Sequence, residues 1–103
     1  MGLADVEKVL EGLEGVRRTE RPGELPEWRY HGRLIARQLD SDHFVIRIDF
    51  DLRRSLLLSD AATFSVPDRY AKHMMIVADI VNGDVGAIED AIDNAWQLQR
   101  SAG

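Results

Sequence analysis

The sequence predicts an α+β fold in which an antiparallel sheet carries its helices on one face. Three observations lead there. Apolar residues recur at helical spacing near both ends of the chain, the segment His43 to Phe50 alternates with period two, and the extended segments come in runs rather than singly between helices. Runs of adjacent strands favour antiparallel pairing with the helices gathered on one side.

Taken in order, Leu3, Val6, Leu10 and Leu13 mark an opening helix, with Asp5 and Glu7 in the first turn where acids complement the helix dipole. Gly15 is its expected stop. Val16 to Arg21 reads as a first strand, and Pro22, Gly23 and Pro26 as a loop. Trp28 to His31 and Arg33 to Leu39 are two extended segments, or one bent segment, around Gly32. After the polar turn Asp40 to Asp42, His43 to Phe50 places Phe44, Ile46, Ile48 and Phe50 on one side and Val45, Arg47 and Asp49 on the other. Asp51 is the expected cap of a short helix to about Ser59. Phe64 to Val66 is extended until Pro67 and Asp68 break it. Met74 to Val81 is a strand closed by Asn82 and Gly83, and the last helix runs from about Asp84 to Arg100 on a stripe of Val85, Ile88, Ile92 and Ala95.

A chain of 103 residues with 45% hydrophobic and 30% charged content suits a single domain spanning residues 1–103. The absence of cysteine removes thiolate nucleophiles, disulfides and cysteine-based metal sites together. The first ten residues lack a basic lead and an apolar run, and the longest apolar stretch, Met74 to Ala78, is too short to span a bilayer. A cytoplasmic location and no membrane partner are the expectations. The net charge of -5 opposes indiscriminate binding to nucleic acid, yet six arginines against three glutamates between Gly15 and Leu39 give that segment a balance of +3.

The residues offer little catalytic chemistry. His31, His43 and His73 fall in separate segments without metal-ligand spacing, and Asp49 with Asp51 reads as a strand residue followed by a helix cap rather than a cation site. No serine stands in a nucleophile elbow, and the eight glycines form no phosphate loop. No catalytic residue, metal or cofactor is therefore expected. Trp28, Tyr30, Tyr70 and Trp96 can supply stacking surfaces for bases, although aromatics in strands and at helix edges are more often core.

The sheet face away from the helices is the informative surface. If Phe44, Ile46, Ile48, Met74, Ile76, Ala78 and Ile80 point to the core, then Val45, Arg47, Met75, Val77, Asp79 and Val81 point outward, joined by Arg33, Ile35 and Arg37. That mixture of arginine and aliphatics suits a protein interface, and a solvated face with a few tolerated aliphatics equally well.

These segments together resemble the MmcQ/YjbR-like family of small bacterial proteins. The resemblance rests on the opening helix with Gly15, on Pro26, Trp28 and Gly32 in PEWRYHGRLIARQ, on FVIRIDFDLRRSLLLSDAATF, on Tyr70 before the late strand, and on Ala95 with Trp96. It implies a two-layer α-β(3)-α-β(2)-α sandwich akin to secretion chaperones, and it implies DNA binding without any catalytic residue to transfer. The sequence does not fix the function. The leading expectation is a non-enzymatic binding module that meets DNA through Arg17, Arg18, Arg29, Arg33, Arg37 and Arg47. The alternative is a chaperone-like or homodimeric protein-interaction domain using Ile35, Val45, Met75, Val77 and Val81.

Overall fold

The computed structural model describes residues 1–102. Helix α1 (Leu3–Glu11) turns Val6 and Leu10 into the core, and its first turn is closed by Asp5, whose carboxylate accepts from the Gly2 backbone N–H at 2.8 Å. Strands β1 (Val16–Thr19), β2 (Glu27–Tyr30), β3 (Arg33–Gln38) and β4 (His43–Arg47) follow. Helix α2 (Phe50–Ser59), β5 (Phe64–Ser65), a single 3-10 turn (Asp68–Tyr70), β6 (Met75–Asp79) and α3 (Val85–Ser101) complete the order. The sequence of helix, strands, helix, strands, helix is the one expected. The Trp28–Leu39 stretch is two strands rather than one bent one, so four strands precede α2.

The six strands form one sheet in the order β1-β2-β3-β4-β6-β5, every neighbouring pair antiparallel. Helix α3 crosses β2, β3 and β4, while α1 lies against β1. Between helices and sheet sit Val6, Leu10, Trp28, Phe44, Ile46, Ile48, Ile76, Ile80, Ile88 and Ile92, each fully removed from solvent. Each such side chain contributes about 1.5–3 kcal/mol relative to exposure, which outweighs any local propensity in setting the register. No described helix is long and apolar enough to cross a membrane.

Helix α2 differs from its expected boundary. Its cap is Asp49, whose Oδ1 accepts from the Leu52 backbone N–H at 2.8 Å, not Asp51. The chain therefore leaves the sheet after Ile48, and Phe50, expected on the inner strand face, is an exposed first-turn helix residue. Helix α2 buries no residue fully and packs at the β5–β6 edge, where Leu52, Leu56 and Leu57 are half-buried.

Two features shape the outer face. First, the β2–β3 ladder slips: Trp28 pairs with Ala36 but Arg29 pairs with Leu34, leaving Ile35 as the extra residue of a bulge. Ile35 and Ala36 both join the core cluster, so the alternation expected of β3 is reset there. Second, residues 66–74 run back across the outer face as a strap. Tyr70 at its centre packs with Val45 and Val77 in a second small core flanked by Leu39, Val66 and Met75.

Arg53 in α2 pins the strap. Its guanidinium donates to the carbonyls of Ala71 (2.9 Å), His73 (2.8 Å), Tyr70 (3.2 Å) and Met75 (3.4 Å), and it lies over the Phe50 ring at 4.8 Å. The cation thus adds to the strap's own backbone bonds, from the His73 N–H to the Tyr70 carbonyl and from the Met75 N–H to the His73 carbonyl, and serves the Ala71 carbonyl as well.

Candidate nucleic-acid interface

The register arranges the outer face in two rows perpendicular to the strands. Arg17 on β1 pairs with Arg29 on β2, which pairs with Leu34 on β3; Arg47 on β4 and its partner Met75 on β6 continue that row. The second row runs Thr19, Glu27, Arg37, Val45 and Val77. Three interstrand spacings, roughly 14 Å, separate Arg17 from Arg47.

The strap covers only the β4–β6 half of this face. Beside it the surface is depressed into adjoining hollows of about 520, 470 and 330 Å³ that share Arg37. Together they form a trough walled by Arg21, Arg29, Arg33, Arg37, Arg47 and Arg69, with Leu34 and Met75 among the apolar residues lining it. Only Glu24 and Glu27 oppose those six arginines, a local balance of +4. On a chain of net charge -5 the remainder carries -9. Charge is thus segregated: α1 and α3 bear Glu7, Glu11, Glu89, Asp90 and Asp93, whereas the uncovered sheet face bears arginine.

The arginines are held by different means. Arg29 is fixed by Glu27, whose Oε1 accepts from its Nε at 3.0 Å and lies 3.0 Å from its Nη2, and by the Gly32 carbonyl, which accepts from its Nη1 at 2.9 Å. Arg33 donates to the Gln99 carbonyl at 2.7 Å in the last turn of α3, where a cation also meets the negative end of the helix dipole. Arg37 donates to the Tyr70 hydroxyl at 2.8 Å, and Arg69 lies over the Tyr70 ring at 4.9 Å. Among the described residues, Arg37, Arg47 and Arg69 have no carboxylate at ion-pairing distance. Guanidiniums oriented by a phenol and by packing, with their charge uncancelled, are prepared to take up phosphate or carboxylate oxygens.

Of the six arginines expected to act together, Arg17, Arg29, Arg37 and Arg47 share the outer face, and Arg33 closes one end of the trough. Arg18 does not join them. It pairs with inward-facing Trp28, so it projects to the opposite side of β1, where it bridges Glu20 at 3.2 Å. The expected apolar interface is dismantled by the fold. Ile35 is buried by the bulge, and Val45 and Val77 are 0% and 3% exposed beneath Tyr70. Met75 is half-buried on the trough floor, and Val81 is exposed in the turn after β6 rather than in the sheet. Arg21 and Arg69 join the trough without having been expected there, and Tyr70, expected as a stacking surface or a core aromatic, is buried and orients Arg37 and Arg69. Pro67 and Asp68 signal that a strand ends there, but not where the following residues lie.

At the trough end formed by Arg29 and Arg33, β2 turns into β3 through His31 and Gly32, both at positive φ (48° and 82°), the geometry of a tight two-residue hairpin turn. The His31 ring stacks on Tyr30, centroids 4.0 Å apart and planes 11° from parallel. Gly15, also at positive φ, passes so near that a Cβ there would stand 2.7 Å from the Tyr30 ring. No group of three or more metal-ligating side chains occurs among the described residues.

No family model matches the chain, and no curated protein or solved structure matches it.

Proposed function

We propose that the protein is a non-enzymatic binding module whose arginine trough holds the phosphate backbone of nucleic acid. The observation that carries this reading is the concentration of six arginines against two glutamates in one trough of an otherwise strongly acidic chain. Arginine forks match phosphate oxygens, and the acidic residues of α1 and α3 disfavour a polyanion on the helix side. The resemblance to the MmcQ/YjbR-like family points the same way, toward DNA and a cytoplasmic, bacterial setting.

The reading implies backbone contact rather than base recognition by the trough, because arginines aligned across a sheet face meet phosphates whatever the sequence. Fluorescence anisotropy with labelled DNA across a salt series tests it. With three to five phosphates neutralised, the log of the association constant should fall with log salt at a slope of about -2 to -4.5. No binding at low salt, or binding indifferent to salt, would sink the proposal, and tight binding of an acidic peptide alone would reassign the trough to a protein partner.

A further inference from the structure

We propose that the trough holds nucleic acid by a strand end, whose terminal phosphate enters the hollow of about 470 Å³ between β3 and β4 and meets the side-chain amide of Gln99. This rests on the trough reading and deepens it. The carrying observation is Gln99 itself: it is 6% exposed and lines that hollow, and among the described residues only its main-chain carbonyl is hydrogen-bonded, to Arg33, while its side-chain amide has no partner.

Gln99 lies on the stripe of α3 that faces the sheet, one turn beyond Ala95 and in line with Ile88, Ala91 and Ile92. Packing alone would place an apolar residue there, since glutamine is mostly exposed in proteins and buried amides are as a rule hydrogen-bonded. The hollow reaches Gln99 because the sheet opens above this turn. Pairing of β3 with β4 stops at Ala36 and Ile46, beside the bulge residue Ile35; Arg33 and Leu34 stay with β2, while Arg47 stays with Met75 on β6. Through the split, arginines of the outer face and a residue of the helix layer line one cavity.

The acceptors in the hollow are engaged and the donors are not. Glu27 is held by Arg29, and Arg33 takes the Gln99 carbonyl at 2.7 Å, which also offsets the negative end of α3. Arg47 makes no side-chain hydrogen bond or ion pair among the described residues, Arg37 uses one nitrogen on the Tyr70 hydroxyl, and the Gln99 amide has two N–H groups to give. Four arginines against one glutamate leave the hollow at +3. A phosphomonoester, with three unshared oxygens and a charge of about -1.5 to -2 at pH 7, matches this better than a singly charged internal diester. The hollow is also a dead end. Ala95 behind Gln99 and Ile35 beside the split are fully buried, so a strand lying on the outer face can put its end into the split but cannot thread through it.

The test is competition anisotropy with one oligothymidylate carrying a 5′-phosphate, a 3′-phosphate or hydroxyls at both ends, against wild type and Gln99→Leu. Wild type should favour one phosphorylated end over the hydroxyl strand roughly tenfold, as expected of a hydrogen bond to a charged group. In Gln99→Leu, an apolar side chain of similar size, that ratio should fall to about twofold or less, with a thermal midpoint no lower than that of the wild type. In labelled wild-type protein the Gln99 side-chain amide resonances should shift with the preferred phosphorylated strand and stay still with the hydroxyl strand, a readout that needs no variant. Equal binding of phosphorylated and hydroxyl strands, a preference that Gln99→Leu retains, or an unmoved Gln99 amide overturns the strand-end inference while leaving the trough intact. Thymidine monophosphate bound as tightly as the phosphorylated strand also overturns it, by making the strand dispensable. Failure of every strand to bind at low salt overturns the trough reading itself.

Discussion

The two halves of the outer sheet face have the same backbone, the same twist and opposite fates. Over β4 and β6 the strap lays Tyr70 on Val45 and Val77 and removes them from solvent; over β1, β2 and β3 Arg17 is exposed and Arg29 and Arg37 are only half-buried, Arg37 reaching the Tyr70 hydroxyl at the strap's edge. Period-two alternation sorts residues between faces, but whether a face is covered depends on segments far away in the chain. Here the covering segment begins some twenty residues after β4 and is tied down by Arg53 from a helix on the other side of the sheet edge. The covered half is a second small core, and the bare half carries the arginines of the proposed binding surface.

The sharpest way to break this division is to put a charge in the covered half. Val45→Glu should destabilise the fold by about 3 kcal/mol in denaturant unfolding, since a carboxylate beneath Tyr70 loses its water and a buried apolar contact even with Arg37 on the neighbouring strand. A variant of wild-type stability would mean that the strap does not cover the sheet. Next in size is Arg53→Ala, which removes the donor to the Ala71 carbonyl and the second donor to the Tyr70 and His73 carbonyls and should cost about 2 kcal/mol, with faster amide exchange confined to residues 68–75. In the bare half, Arg37→Ala should lower the salt slope of DNA binding by about 1 with little loss of stability beyond the bond to Tyr70. Arg18→Ala, on the opposite side of β1, should leave that slope unchanged, and an equal effect of the two would erase the distinction between faces.

The smallest effect concerns acid. The backbone N–H of Asp42 and then the His43 ring hold the Asp40 carboxyl below its ordinary value of 3.8, and Asn82 does the same for Asp79, chiefly through its backbone N–H. Groups depressed in the folded state contribute stability above pH 3.8 that is lost as the pH falls through their lowered values. The thermal midpoint should therefore decline slightly below pH 3.8, and less so in Asp40→Asn.

Much of the fold was legible because period and punctuation agreed. The alternation of Phe44, Ile46 and Ile48 and the helical stripe of Ile88, Ile92 and Ala95 appear where expected, whereas Val85 is exposed at the helix start and β6 ends at Asp79, two residues before the expected Val81, so that Asn82 and Gly83 lie in the turn beyond it. What escaped was tertiary. Nothing in RLIARQ marks Ile35 and Ala36 as two successive residues on one face, because a bulge is chosen by the partner strand as much as by its own sequence. The strap was invisible for the same reason: residues 66–74 have no period, and their burial comes from what they lie on. Arg18 is different. Adjacent residues in a strand point to opposite faces, so the separation of Arg17 from Arg18 was available from the sequence once β1 was accepted as a strand.

The most direct test of the bare-half claim is a titration of isotopically labelled protein with an oligothymidylate at low salt, followed by backbone amide shifts. Changes are expected to concentrate at residues 17, 29, 33, 34, 37, 47, 69 and 70, with α1 and the first three turns of α3 silent. Changes centred on the helices, or none at all, would contradict it.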